Sequence, residues 1–328
     1  MASGSPHVSV IVPFYNAAPF LQQCAHSLVK QTLGDIEILL VDDGSTDQSR
    51  AIAAGIAAAD RRIAVLEQNH IGPGAARNRG LEAARAPYIT FVDSDDDVTM
   101  DGCEAMLRRA DESGADVVVA KAHTWSRPAL PSRLNPHPAQ AIRGLYTGRI
   151  SMGAYAKLYR RSFLQAHGIR FPPAIYIEDR HFLLQCLIAV ARLAPLEQVV
   201  YRRHLRPEST MHRISSKHVM DATAAYELDA TLLDRAGLLS ACGCQAAWAT
   251  LAVDLYLARA IPRNSAVLRD MLAGEVRRQE GLFRLLPGPR TRRSLLAGAA
   301  GQLRRDLTGG TDLLLTRVWL GLMRILAL

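Results

Sequence analysis

The chain has 328 residues, of which 49% are hydrophobic and 21% charged; this excludes a disordered polymer and suffices to bury a core without staples. Its five cysteines are odd in number with no Cys-x-x-Cys pair, and its ten histidines include no His-Glu-x-x-His run, which argues against a disulfide framework or a structural zinc site and for free thiols in a reducing compartment. The net charge of +8 is concentrated, because residues 277–328 carry ten arginines, no lysine and three acids and so hold seven of the eight excess positive charges.

The first 120 residues alternate compact apolar runs with helical patterns. The runs are Val8–Val12, Ile36–Val41, Ile63–Leu66, Tyr88–Val92 and Asp116–Val119, and the helical spacings lie near 18–31, 47–59, 74–85 and 101–113. Near-continuous apolar strands alternating with helices predict an α/β fold with a Rossmann-like, mostly parallel sheet covered on both faces. Right-handed crossovers then gather the C-terminal strand ends on one rim, where ligands bind. Pro128, Pro131, Pro136 and Pro138 predict a surface loop over 122–150. A helix is expected near 177–191 and a strand near 197–203. From about 216 onward the pattern is helical to the end, giving an all-helical C-terminal appendage. The expected organisation is an α/β domain over 1–213 and a helical, basic, amphipathic region over 214–328.

The N-terminal Met-Ala-Ser-Gly-Ser-Pro-His has neither the basic nor the apolar run of a secretory signal, and no uncharged apolar stretch is long enough to span a bilayer. The expectation is a cytoplasmic protein. Residues 277–328, with Trp319 beside Arg317 in an apolar final segment, suit peripheral attachment to an anionic membrane surface; the same helices could equally pack on the catalytic domain. Nucleic-acid binding is not expected, because no base-reading module accompanies the charge.

Chemistry concentrates at the predicted rim. Asp42 and Asp43, followed by Gly44-Ser45-Thr46-Asp47, end the second strand. A carboxylate there can accept from a nucleobase N–H or from ribose hydroxyls, or can simply shape a turn. After the fourth strand comes Asp93-Ser94-Asp95-Asp96-Asp97, four acids in five positions. Their repulsion is costly unless a cation sits among them, and carboxylate oxygens select a hard ion such as Mg²⁺ or Mn²⁺. The glycines of Gly72-Pro73-Gly74-Ala75-Ala76-Arg77-Asn78-Arg79-Gly80 permit close backbone approach, and Arg77 can meet a base or phosphate; the run follows the third strand and lacks the third glycine of a dinucleotide fingerprint. The acid pair Glu178–Asp179 opens a helix and offers a general base, although acids also favour any helix N-terminus. Arg206, Ser209 and His212 suit a diphosphate.

Together these runs resemble family 2 glycosyltransferases, which have the GT-A fold. The resemblance rests on V-S-V-I-V-P-F-Y-N at 8–16, E-I-L-L-V-D-D-G-S-T-D at 37–47, Asn69 to Gly80, Y-I-T-F-V-D-S-D-D at 88–96, K-L-Y-R-R-S-F-L at 157–164 and E-D-R-H-F at 178–182. One spacing departs from the family, since Gly72 lies three residues after Asn69 rather than two. The resemblance implies inverting transfer of a sugar from a nucleotide-diphosphate donor, UDP in the first instance, to a saccharide or lipid-linked acceptor in surface-polysaccharide biosynthesis. It implies that Pro13 and Tyr15 line the nucleoside, Asp43 binds the base with Asp42 supporting the turn, and Arg77 contacts the base. It further implies that Asp93 and Ser94 serve the ribose side, Asp95 holds Mg²⁺ or Mn²⁺, and Asp179 deprotonates the acceptor. Arg206, Ser209 and His212 would close over the diphosphate. Sequence alone does not separate Asp179 from Glu178 as base. The alternative is a non-catalytic scaffold that keeps the fold to bind a polysaccharide or a partner enzyme.

Overall fold

A computed structural model describes residues 5–123, 137–146, 149–189, 192–204 and 215–242, with isolated positions between 257 and 275. The chain divides into two compact units, residues 1–204 and 205–328. The first contains β1 (Val8–Phe14), α1 (Leu21–Val29), β2 (Ile36–Asp42), α2 (Ser49–Ala59), β3 (Ile63–Glu67), α3 (Pro73–Ala83), β4 (Tyr88–Phe91), β5 (Asp97–Val98), α4 (Gly102–Ser113), β6 (Val117–Ala122), α5 (Pro138–Tyr146), β7 (Lys157–Arg160), α6 (Arg161–Ala166), α7 (Glu178–Ile188) and β8 (Leu193–Arg202). The eight strands form one sheet in the order β3-β2-β1-β4-β7-β6-β8-β5.

Four of its seven pairings are parallel, and β7 and β5 supply the antiparallel ones. Every residue of β1 and β2 is buried, which is why their sequences read as unbroken apolar runs rather than alternations. β3 closes the edge and is only partly buried. Pro13 is tolerated inside β1 because β1 pairs with β4 only from Val8 to Ile11, so its missing N–H falls beyond that ladder. α3 packs on β1 and β2, and α4 packs on β6 and β8. The C-terminal ends of β1, β2, β3 and β4 share a rim, as their registers require. β7 runs antiparallel to β4, with Ile89 opposite Tyr159, so its first residue, Lys157, reaches that same rim.

The loop expected over 122–150 is corrected in part. β6 extends to Ala122, and Pro138 opens a nine-residue helix whose apolar residues are buried. Proline is well suited to a first helical turn, where its missing N–H costs nothing. The expected strand at 197–203 begins earlier, at Leu193, and the helix at 177–191 is the shorter α7.

The second unit contributes α8 (Ser216–Arg235), capped by Ser215, whose side chain meets the Nδ1 of His218 at 2.8 Å. Residues 277–328, which carry the basic charge, and residues 205–214, which include Arg206, Ser209 and His212, lie outside the described residues. Among the described residues, no helix is long and apolar enough to cross a membrane, and Cys24, Cys103, Cys186 and Cys242 are buried free thiols.

α3 lies tight against β1 at Gly80, where an added Cβ would lie 2.4 Å from the Ile11 side chain. Gly55, exposed in mid-α2, has open space around it. Gly80→Ala is therefore expected to cost ~1–3 kcal/mol by overpacking, whereas Gly55→Ala gains ~0.5–1 kcal/mol. Urea unfolding midpoints of the two variants should move in opposite directions.

Candidate active site

The turn after β2 is built around two buried carboxylates with different duties. Asp42 accepts from the Ser45 N–H at 2.9 Å and from Arg50 Nε at 2.9 Å, which folds the turn back on itself. Asp43 reaches the other way, accepting from Gln68 Nε2 at 2.7 Å and from the backbone N–H groups of Ile71 and Gly72 at 2.9 Å each. It thereby holds the loop between β3 and α3. The Nδ1 of His70 lies 2.9 Å from the same carboxylate, and its ring stacks on half-exposed Tyr15 at 4.0 Å. Asn16, with φ of 47°, accepts from the Thr46 N–H at 2.8 Å. The residues expected to line a nucleoside, Pro13, Tyr15, Asp42 and Asp43, are thus brought together, although Asp43 also has a structural duty that its position in the sequence does not reveal.

Arg77 differs most from expectation. The motif suggests a side chain turned to a ligand, yet Arg77 is buried and faces inward. Its Nη1 donates to Glu178 Oε1 at 2.6 Å, its Nη2 donates to Asp93 Oδ1 at 2.8 Å, and Nη1 lies 3.2 Å from Asp179 Oδ1. The guanidinium also sits 5.4 Å above the centre of the Phe171 ring. Burial works against its charge, but Asp179, Asp93 and Glu178 overcome it and hold Arg77 above its usual range. One cation therefore serves three carboxylates from two distant segments.

The two acids of α7 are not equivalent. The Glu178 side chain is 9% exposed and bound by Arg77, whereas the Asp179 side chain is 20% exposed. No hydrogen-bond donor is aimed at the buried Asp179 Oδ1, because Arg77 approaches it without hydrogen-bond alignment. Burial pushes the Asp179 carboxyl up to about 7; Arg77 opposes this, and Glu178 and Asp93 add to it. These properties suit a general base working near neutrality.

In the acidic run, Asp96 and Asp97 are anchors. Asp96 is buried and accepts from the Tyr201 hydroxyl at 2.8 Å and the His204 N–H at 2.9 Å. Burial and repulsion from Asp93 and Asp95 push its carboxyl up to about 6, against those hydrogen bonds. Asp97 meets Gln23 Nε2 at 3.0 Å and His204 Nε2 at 2.8 Å. Asp93, Ser94 and Asp95 are only partly buried on the rim. Among the described residues, no group of three or more potential ligands is arranged to hold a metal by protein atoms alone. Mg²⁺ and Mn²⁺ do not require one, since an ion held by one or two carboxylates completes its shell with phosphate oxygens and water. The excess negative charge that raises Asp96 is what such an ion would relieve, so the residues fit it. Tyr201, whose hydroxyl lies 3.0 Å from the Asp93 backbone nitrogen as well as on Asp96, escapes sequence reading because nothing local marks a strand tyrosine as a bridge. The full burial of Lys157 is not legible either, because its neighbours in K-L-Y-R are a mix of apolar and charged residues.

The model of the glycosyl transferase family 2 matches residues 9–177. The chain belongs to this family. EpsH, a glycosyltransferase by name from Bacillus subtilis, is 32% identical over 240 residues, 70% of each chain. The succinoglycan biosynthesis protein ExoO of Rhizobium meliloti is 29% identical over 235 residues, covering 68% of this chain and 67% of its own. The crystal structure of Staphylococcus aureus TarS 1–349 in complex with UDP-GlcNAc superposes with a TM-score of 0.62 at 21% identity, over 87% of this chain and 83% of that one. The protein is accordingly a glycosyltransferase with the GT-A fold. The family match stops one residue short of the Glu178–Asp179 pair, so the roles within that pair rest on geometry.

Removing Arg77 leaves three carboxylates repelling one another in a buried site. Arg77→Met is expected to destabilise the protein by ~3–5 kcal/mol at pH 8. Without the guanidinium the Asp179 carboxyl loses what opposes its upward shift, so the folded state binds more protons than the unfolded one and stability returns as pH falls toward 5. Urea unfolding of the variant at the two pH values checks both the size and the sign.

Proposed function

We propose that the protein is an inverting glycosyltransferase that moves a sugar from a UDP-sugar to a saccharide or lipid-linked acceptor in surface-polysaccharide assembly, with Asp179 as its general base. The observation that carries this reading is the partly exposed Asp179 carboxylate, which shares Arg77 with Asp93 and whose buried Oδ1 has no aligned hydrogen-bond donor. The acceptor hydroxyl gives its proton to the Asp179 carboxylate as its oxygen attacks the anomeric carbon. The bond from that carbon to the diphosphate breaks on the opposite face, which inverts the centre. Pro13, Tyr15 and the loop held by Asp43 frame the nucleoside, and Asp93 and Ser94 take the ribose side. Arg77 acts through the carboxylates it binds rather than on the base. A divalent ion held by Asp95 would supply charge neutralisation for the diphosphate. Arg206, Ser209 and His212 are assigned to the diphosphate on their chemistry and on the family resemblance. The name of ExoO supports a polysaccharide setting, and the ligand of TarS supports UDP. The positive charge of 277–328 supports a place for the protein beside an anionic membrane surface on the cytoplasmic side.

The purified protein, given Mn²⁺ and a panel of UDP-, GDP- and dTDP-sugars, is expected to release nucleoside diphosphate slowly from one donor. Asp179→Asn should cut this by ~10²–10⁴-fold while keeping Mn²⁺-dependent UDP binding, and Asp95→Asn should lose that binding. No release from any donor, together with no Mn²⁺-dependent nucleotide binding, would overturn the reading.

A further inference from the structure

The three loops that leave β1, β2 and β3 are interlocked at the rim. Asn16, after β1, donates its backbone N–H to the Ser45 hydroxyl at 3.1 Å and so ties itself to the turn after β2. That turn closes on the loop after β3 at Gly44, where an added Cβ would lie 2.9 Å from the His70 backbone nitrogen. The chain adds β2 and β3 on one side of β1 and then β4 on the other. An open α/β sheet takes its ligand outside the C-terminal end of the strand at which the order switches in this way. Tyr15 is the residue that follows β1, and the His70 ring lies on it with the two planes inclined at 23°. Both rings are open to solvent, since the His70 side chain is 57% exposed and Tyr15 is 44% exposed.

Asp43 has no capacity left for a ligand. Its Oδ1 accepts from Gln68 Nε2 and the Ile71 N–H, and its Oδ2 accepts from the Gly72 N–H and lies against His70 Nδ1. These four donors meet the four lone-pair sites of a buried carboxylate. The carboxylate therefore shapes the loop and offers nothing to a base N–H. His70 Nδ1 faces acceptors only, Asp43 Oδ2 at 2.9 Å and the Asp43 carbonyl at 3.1 Å, so the proton of the neutral imidazole sits on Nδ1. The ring is clamped by its edge on Asp43 and by its face on Tyr15. A side chain held in this way has given up its rotamer freedom before a ligand arrives. A fixed, exposed aromatic face at the switch point is a platform for another flat ring, and stacking on an aromatic side chain is a principal source of affinity for a nucleobase.

We propose that His70 is the residue that touches the donor nucleobase: the base stacks on the outer face of the imidazole, with Tyr15 behind it and Asp43 holding it in place. The proposal rests on the reading of the protein as a nucleotide-sugar transferase. It makes Asp43 a positioning residue and moves the base contact to the stretch where Gly72 lies three residues after Asn69 rather than two.

Two full-length variants separate this role from a merely structural one. His70→Phe keeps a stacking ring and loses the bond to Asp43, whereas His70→Asn keeps a polar group beside Asp43 and loses the ring. In calorimetric titrations with Mn²⁺ present, His70→Asn is expected to weaken UDP binding by about 10-fold and His70→Phe to stay within about threefold of the unaltered chain. Neither should change the Mn²⁺-dependent binding of pyrophosphate, which has no base. Equal UDP affinity in the two variants, the reverse order, or a matching loss for pyrophosphate would make His70 a loop-shaping residue and overturn the proposal. If a variant does not fold, the unaltered chain carrying ¹³C-labelled histidine decides. The uracil H5 and H6 of bound UDP should show nuclear Overhauser contacts to a histidine ring, and their absence overturns the proposal. An unaltered chain that binds no nucleoside diphosphate sinks the transferase reading together with this one. UDP binding that is indifferent to position 70 sinks this one alone.

Discussion

The site depends on one shared guanidinium. Arg77 joins α3, the end of β4 and the start of α7 by gripping Asp93 and Glu178 and lying against Asp179. A buried ion pair is a weak source of stability taken alone, because desolvation offsets most of the attraction. Its value here is arrangement. Three carboxylates could not be brought together in a buried place without a cation among them, and a single cation leaves them undersaturated. Burial first, and then that residue of negative charge, keeps Asp179 near neutrality instead of in the ordinary carboxylate range, and the same charge leaves the rim attractive to a divalent ion and a diphosphate.

The backbone carries strain at the same rim. The non-glycine residues with left-handed φ among the described residues are Asn16, Ala156, Ala174 and Ile177. Asn16 follows β1, Ala156 precedes β7, Ala174 lies beneath Gly72, and Ile177 immediately precedes the acid pair. Each such residue costs on the order of 1–3 kcal/mol, and a β-branched residue such as Ile177 is the least tolerant. The sheet holds these positions because its central strands are buried on both faces and fixed in register. A rigid scaffold thus orients Asp179 at the first turn of α7, where a relaxed backbone would point it elsewhere.

Much of this was legible from residues alone. The unbroken apolar runs of β1 and β2 read directly as buried parallel strands, and the acids at 42–43, 93–97 and 178–179 fell on the rim that this topology implies. Pro138 misled because proline breaks a helix interior but suits a helix start. The inward turn of Arg77 was hidden because its helix face is made of Gly74, Gly80 and Leu81, and glycines supply no hydrophobic stripe to mark the buried side. The signal was there in spacing: positions 74, 77, 80 and 81 fall on one face. Tyr201 was illegible for another reason. Its hydroxyl, at the end of β8, meets Asp93 and Asp96 more than a hundred residues away, and no local pattern encodes such a partner.

The central claim is that Asp179 is the proton acceptor, held near neutrality by burial and by an Arg77 shared with two other acids. The most direct measurement is the titration of its side-chain carbon by NMR in a protein carrying ¹³Cγ-labelled aspartate, with Asp179→Asn used to assign the signal. A midpoint near 7 agrees with the structure. A midpoint in the ordinary aspartate range, about 4, would mean that the site does not tune this carboxylate, and the assignment of Asp179 as its base would fail.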